Sequence, residues 1–184
     1  MIRAAKASDV HEVVVLIMAA IGELTTLYTG EASNEKAAPI LAQFYTQPGN
    51  RFSQQLIKVV ELDDQIAGMI LCYSGGDAPA LYAPIEQFRA SALGQGVKHP
   101  LEAEPNEYYI DALAVAPQYR GKGLAAQLMQ QAEQDALTAG LDQIALLVDV
   151  DNTRAKHVYL RQGYESIGQK TLHHHPYWHM VKRL

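Results

Sequence analysis

The sequence predicts an α/β (α+β) chain, a mixed and mostly antiparallel central sheet flanked by helices, and three observations carry that prediction. The stretch from Glu107 to Ala126 runs strand, glycine loop, helix. Ile144 to Val150 is nearly all aliphatic, the pattern of a strand covered on both faces. Shorter strand and helix patterns precede both, so strands come first and a β-α-β-α-β series follows. At 184 residues, a single domain over 1–184 is the expectation.

Taken in order, Ile2 to Ala5 forms a short strand, and Ser8 is placed to cap a helix running to about Leu24. Val10, Val13, Val14, Ile17 and Ile21 make one apolar stripe along it. A second helix spans Asn34 to Thr46, with Ala37, Leu41, Phe44 and Tyr45 on a shared face, and Pro48-Gly49-Asn50 ends it. Leu56 to Leu62 and Ile66 to Tyr73 read as a hairpin turning at Asp63-Asp64. Residues 74–106 change character, with prolines, alanines and a modest helical patch from Ile85 to Leu93. Such a segment is either an inserted binding loop or a helical excursion packed for stability.

Tyr108 to Val115 is the next strand, ended by Pro117, and a helix runs from Leu124 to about Thr138 before Gly140. Asp151-Asn152 caps a further helix from Thr153 to about Gln162. Tyr164 to Gln169 and Tyr177 to Lys182 close the sheet, with His173, His174 and His175 as a loop before the last strand. Three consecutive residues on an extended chain point to alternate faces, so these histidines cannot converge on one ion, and no metal is expected.

A formal charge of −5 without a basic run argues against nucleic acid as the main partner and suits a cationic amine. The single cysteine, Cys72, excludes an internal disulfide framework and fits a reducing compartment. The apolar run Val13 to Ile21 is short of the ~20 residues a span needs, so no membrane partner is expected and the chain is read as cytoplasmic. The oligomeric state stays open, a homodimer included.

The chemistry is concentrated at Gln118-Tyr119-Arg120-Gly121-Lys122-Gly123. A glycine loop between a strand and a helix N-terminus makes an anion site, because the first-turn N–H groups lack intrahelical partners and glycine has no Cβ in the way. A Walker loop fails here, since Leu124 follows Gly123 where Gly-Lys-Ser/Thr is needed. Gly121, Gly123 and Ala126 formally meet a dinucleotide fingerprint, but only about sixty residues remain for the rest of such a domain.

Gln-x-x-Gly-x-Gly after a strand ending Leu-Ala-Val-x-Pro resembles the acetyl-CoA-binding motif of the GNAT superfamily of N-acetyltransferases. About thirty residues later, Asn152, Ala155, Tyr159 and Gly163-Tyr164 recur at that family's offsets. Asn152 and Tyr159 lie about two helical turns apart and so share a face. The resemblance implies a GNAT-like sheet with splayed parallel strands at a cofactor cleft, and acetyl-CoA as co-substrate. It implies that Leu113, Ala114 and Val115 line the pantetheine arm, the first and last holding it by main-chain groups. The loop from Gln118 through Arg120, Gly121, Lys122, Gly123, Leu124 and Ala125 would take the pyrophosphate. Arg120 and Lys122 either add charge directly or are solvated. Asn152 caps its helix and is also available to the arm, and Tyr159 stands where the family's general acid acts.

The implied reaction moves an acetyl group to a primary amine by direct attack in a ternary complex, with a small-molecule or peptide amine as acceptor. The alternative is a non-catalytic acyl-CoA-binding sensor. Some family members place a basic Glu five residues ahead of the Asn, where this chain has Leu147. Asp111 is therefore the candidate base, sharing a face with Tyr109, Leu113 and Val115 by simple alternation, with Glu107 or water as the other choices.

Overall fold

Seven strands form one sheet in the order β1-β2-β3-β4-β5-β7-β6. The structure, a computed structural model, describes all residues except Gln95 and Val97, together with the side chain of Leu93. The strands are β1 (Ile2–Ala4), β2 (Ile57–Leu62), β3 (Gln65–Ser74), β4 (Tyr108–Val115), β5 (Gln143–Asp149), β6 (Glu165–Leu172) and β7 (His175–Arg183). All neighbours are antiparallel except β4 and β5. The helices are α1 (Val10–Ile21), α2 (Leu24–Thr29), α3 (Asn34–Thr46), α4 (Ala78–Leu93), α5 (Leu124–Thr138) and α6 (Thr153–Arg161).

Two apolar layers sandwich the sheet. On one face Val13, Ile17, Leu41, Phe44 and Tyr45 of α1 and α3 pack on Val59, Met69, Leu71 and Tyr109. On the other, Leu124, Leu128, Met129 and Ala132 of α5 pack on Ile70, Ile110, Ile144 and Leu146. Burying each such aliphatic side chain contributes about 1.5–3 kcal/mol. The alternation Ile144, Leu146, Val148 on one face and Ala145, Leu147 on the other explains why β5 reads as a continuous apolar run.

Three local details differ from the sequence reading. The first helix breaks at Gly22, with φ of 54°, and resumes as α2, so the long amphipathic stripe becomes two helices with a bend at the cleft. Ser8 does not cap it. It lies within a short 3-10 turn, Ala7–Asp9, where the Asp9 carboxylate accepts from the Lys6 amide at 2.8 Å and pairs with Arg3 at 2.7 Å. The patch expected at Ile85 to Leu93 is the second half of α4, which starts at Ala78 with Pro79 in its first turn. There proline's missing N–H costs nothing. The ends of the 74–106 segment close on each other: the Gly75 amide donates to the Glu107 carbonyl at 2.8 Å, and a Cβ on Gly75 would overlap the Glu104 carbonyl. Positions 95 and 97 of this segment lie outside the described residues.

Arg3, donating to Asp9, holds that carboxyl below its ordinary range, with the Lys6 amide assisting against the cost of burial. Because the native pKa lies below the unfolded value of about 3.9, this contribution is complete above that value and disappears as pH falls through the native one. Asp9→Asn should cost about 1–2 kcal/mol at neutral pH, with the deficit shrinking steadily in acid. Urea midpoints of both proteins measured across that pH range check it.

Candidate active site

β4 and β5 are paired over three residues only, Tyr108 with Ile144, Tyr109 with Ala145 and Ile110 with Leu146. Beyond that point β4 keeps its ladder to β3 and β5 keeps its ladder to β7, but the two no longer meet. The cause is local. Leu71 stands opposite Ala112 while Cys72 stands opposite Ile110, so Asp111 is an extra residue that bulges and bends β4. The Ala116 amide donates to Ala67 of β3, whereas the Val115 carbonyl accepts from Arg120 Nε at 3.2 Å, away from β3. Strand parity therefore turns the main-chain groups of Leu113 and Val115 toward the gap.

The glycine loop lies beyond the open end of β4. Gly121 and Gly123 have φ of 78° and 76°, and no atom stands within 4 Å of where their Cβ atoms would be. The first helical bond of α5 runs from the Gln127 amide to the Gly123 carbonyl, and no side chain caps the helix. The amides of Leu124 and Ala125 are thus free for an anion. Gln118, Arg120 and Lys122 are exposed, and Lys122 Nζ rests 5.3 Å above the Tyr119 ring. Open space, free amides and two exposed cations fit a diphosphate.

Facing the gap from β5, α6 begins at Asn152, whose Oδ1 accepts from the Ala155 amide at 3.0 Å. Asn152, Ala155 and Tyr159 line one wall of a cleft of about 820 Å³. Tyr159 stacks edge-on against Tyr164, with centroids 6.0 Å apart. Burial pushes its phenol up, so it stays protonated at neutral pH. The cleft continues through the parted strands to the opposite face, where Glu23, Arg51, Glu102 and Asp111 border it.

That far side holds a cluster the sequence did not disclose. Arg51, fully buried, donates to both oxygens of Asp111, at 2.9 and 2.5 Å, to Glu102 at 3.0 Å and to the Tyr28 hydroxyl at 2.7 Å. Its guanidinium lies 4.5 and 4.4 Å from the Tyr28 and Tyr82 ring centroids. Glu102 also accepts from the hydroxyls of Tyr28, Tyr82 and Tyr109. Burial raises the Asp111 pKa, Glu102 adding to it, and Arg51 offsets only part. Glu102 is held low despite burial, because Arg51 and the Tyr109 hydroxyl stabilise its charge. On this side of the sheet two carboxylates thus face one guanidinium. A buried arginine offers no sequence signature: Arg51 follows the helix-ending Pro48-Gly49-Asn50 and reads as a turn residue.

The face expected for Asp111 is corrected by its bulge. Tyr109 packs in the layer of α1, but past the extra residue Ala112 and Ala114 take that side, and Leu113 and Val115 fall in the layer of α5. Glu107 does not border the cleft. Its carboxylate lies against His179 Nε2 at 2.9 Å and accepts from the Glu104 amide. The histidine triplet is also divided. His173 and His174, both at positive φ, make the β6–β7 turn, while His175 opens β7 and donates from Nε2 to Asp149 at 2.8 Å. Among the described residues, ligand-type atoms of Asp149, Asp151 and His175 come within 4.8 Å of one another, with Asp149 hydrogen-bonded to His175 and to the Asp151 amide.

A mixed sheet whose two parallel strands part above a glycine-loop helix defines the acyl-CoA-dependent acetyltransferases as a class. The model of the Acetyltransferase (GNAT) family matches residues 18–164, and the chain belongs to that family, as an acyl-CoA-dependent N-acetyltransferase. It is similar to a solved acetyltransferase at 26% identity and TM-score 0.83, covering 100% of this chain and 98% of that one. An N-acetyltransferase from Staphylococcus aureus Mu50 matches at 23% identity and TM-score 0.80, over 98% and 99% of the two chains. The PaiA N-acetyltransferase from Thermoplasma acidophilum, solved with coenzyme A, shares the fold at 14% identity and TM-score 0.58, over 100% and 98%. A search of curated protein sequences finds no match.

Proposed function

We propose that this chain transfers an acetyl group from acetyl-CoA to a primary amine by direct attack in a ternary complex. The observation that carries the reading is the passage through the sheet where β4 and β5 part. A thioester laid between Leu113 and Asn152 on one face meets an amine entering past Glu23 and Glu102 on the other. Among the described residues, no thiol and no serine or threonine hydroxyl lines this cleft: Cys72 is buried outside it, and burial raises its thiol well above the ordinary range. The anionic acceptor side favours a cationic amine. We further propose one domain over 1–184, with 74–106 as the substrate-facing insertion because it delivers Tyr82 and Glu102 to the cluster, and a cytoplasmic setting in keeping with the free Cys72. No described helix is long and apolar enough to cross a membrane.

In this reading the amides of Leu124 and Ala125 bind the pyrophosphate and the main chain of Leu113 and Val115 holds the arm. Tyr159 gives a proton to the departing sulfur. Thiol release measured with and without an amine should show turnover only with both substrates. Intact mass after mixing with acetyl-CoA alone should show no added acetyl group. An acetylated Cys72 that then discharges to the amine would replace direct attack with a covalent relay.

A further inference from the structure

The geometry points to His175, oriented by Asp149, as the general base that takes the proton from the incoming ammonium group, directly or through one water. This assignment rests on the acetyltransferase reading above and supplies the proton acceptor that reading lacks. An alkylamine with a pKa near ~10 arrives protonated and cannot attack until that proton is removed. His175, Asp149 and Tyr159 border the same cleft.

Asp149 Oδ2 accepts from His175 Nε2 at 2.8 Å, and its other oxygen accepts from the Asp151 amide at 2.8 Å, which fixes the carboxylate. Hydrogen on Nε2 leaves the lone pair on Nδ1, the acid–base arrangement of an aspartate-oriented imidazole. The ring is further held edge-on by Tyr177, centroids 5.1 Å apart. About two-fifths of the His175 side chain is exposed, so a proton gained there passes to solvent. The charged and titratable groups around it are Asp149 and Asp151 at the end of β5, Tyr177 on β7, His173 and His174 in the adjoining turn, and Glu23 across the cleft mouth.

Asp111 is less suited to the task. Both its oxygens are bound by Arg51, so taking up a proton would disrupt a buried bidentate pair.

The step balances. His175 takes one proton from R–NH3+, and the freed nitrogen lone pair forms a bond to the thioester carbonyl carbon. The C–S bond breaks, and the sulfur takes the Tyr159 hydroxyl proton. Tyr159 is restored by the proton the new amide nitrogen sheds. His175 then releases its own proton to water.

The test is the pH dependence of kcat/KM for the wild type, His175→Gln, Asp149→Asn and Asp111→Asn, with 1,4-diaminobutane, benzylamine and alanine amide as acceptors. His175→Gln should lose the acid limb and fall about 10²-fold at neutral pH, recovering as pH rises, with KM for acetyl-CoA within twofold. Added imidazole should restore part of the rate. Asp149→Asn should move the limb and lower kcat without abolishing it. If His175→Gln keeps the wild-type limb and rate, or Asp111→Asn alone removes the limb, the assignment falls and the acetyltransferase reading stands. If the wild type releases no thiol with any of these amines, both fall together.

Discussion

Tyr159→Phe should lower turnover by about 10²-fold or more while acetyl-CoA binds as tightly as before. The leaving thiol has an ordinary pKa of about 8.5, so expelling it as an unprotonated thiolate is the costly half of the reaction. The Tyr159 phenol lines the cleft, and burial keeps it protonated. Phenylalanine keeps the ring and its edge contact with Tyr164 but removes the proton. A chemical role can be told from a structural one by the leaving group. Acetyl thioesters of more acidic thiols need less help, so the deficit of Tyr159→Phe should shrink across a series of them. A deficit independent of leaving-group pKa would mean that the hydroxyl positions substrate, and unchanged turnover would remove it from the mechanism.

The fold makes this chemistry available through one inserted residue. Asp111 is extra in β4, and that single irregularity bends the strand away from β5 and reverses the facing of everything after it. It opens a hole in the sheet and turns the main-chain groups of Leu113 and Val115 into it. The same residue anchors Arg51 on the far side. The gap between β4 and β5 and the charged cluster behind it thus share a structural origin.

What was legible in the sequence follows from how local the cause is. β4 and α5 read true to the residue, because a run of aromatic and aliphatic residues, Pro117, the two glycines and the Leu124 period are all short-range signals. The hairpin at Asp63-Asp64 read true for the same reason, both residues adopting positive φ. The bulge at Asp111 was not legible, since it is defined by register against β3 and leaves no mark on composition. Nor was α4, whose first turns contain Pro79 and Pro84 and so look like a loop. The Arg51 cluster gathers Tyr28, Tyr82, Glu102, Tyr109 and Asp111 from across the chain, and only tertiary packing makes it a unit.

That cluster sets the second large effect. Arg51→Met should destabilise the protein by about 3–5 kcal/mol, because it strands Glu102 and Asp111 in a buried site without a counter-charge. The loss comes from the unpaired carboxylates and not from the missing arginine as such. Neutralising them as well, in Arg51→Met with Glu102→Gln and Asp111→Asn, should return most of the stability, since no buried charge then remains. Arg51→Lys should fall between. It keeps the charge but lacks the planar fork that donates to both Asp111 oxygens close to the Tyr28 and Tyr82 rings. Urea unfolding of the three variants decides the matter. If the triple variant is no more stable than Arg51→Met, packing by the guanidinium and its two rings, rather than charge compensation, is what holds this side of the cleft together. On the reading proposed above, the triple variant should also raise KM for a diamine more than for benzylamine while leaving the KM for acetyl-CoA unchanged, because the glycine loop at Gly121 and Gly123 lies beyond the open end of β4, away from the cluster.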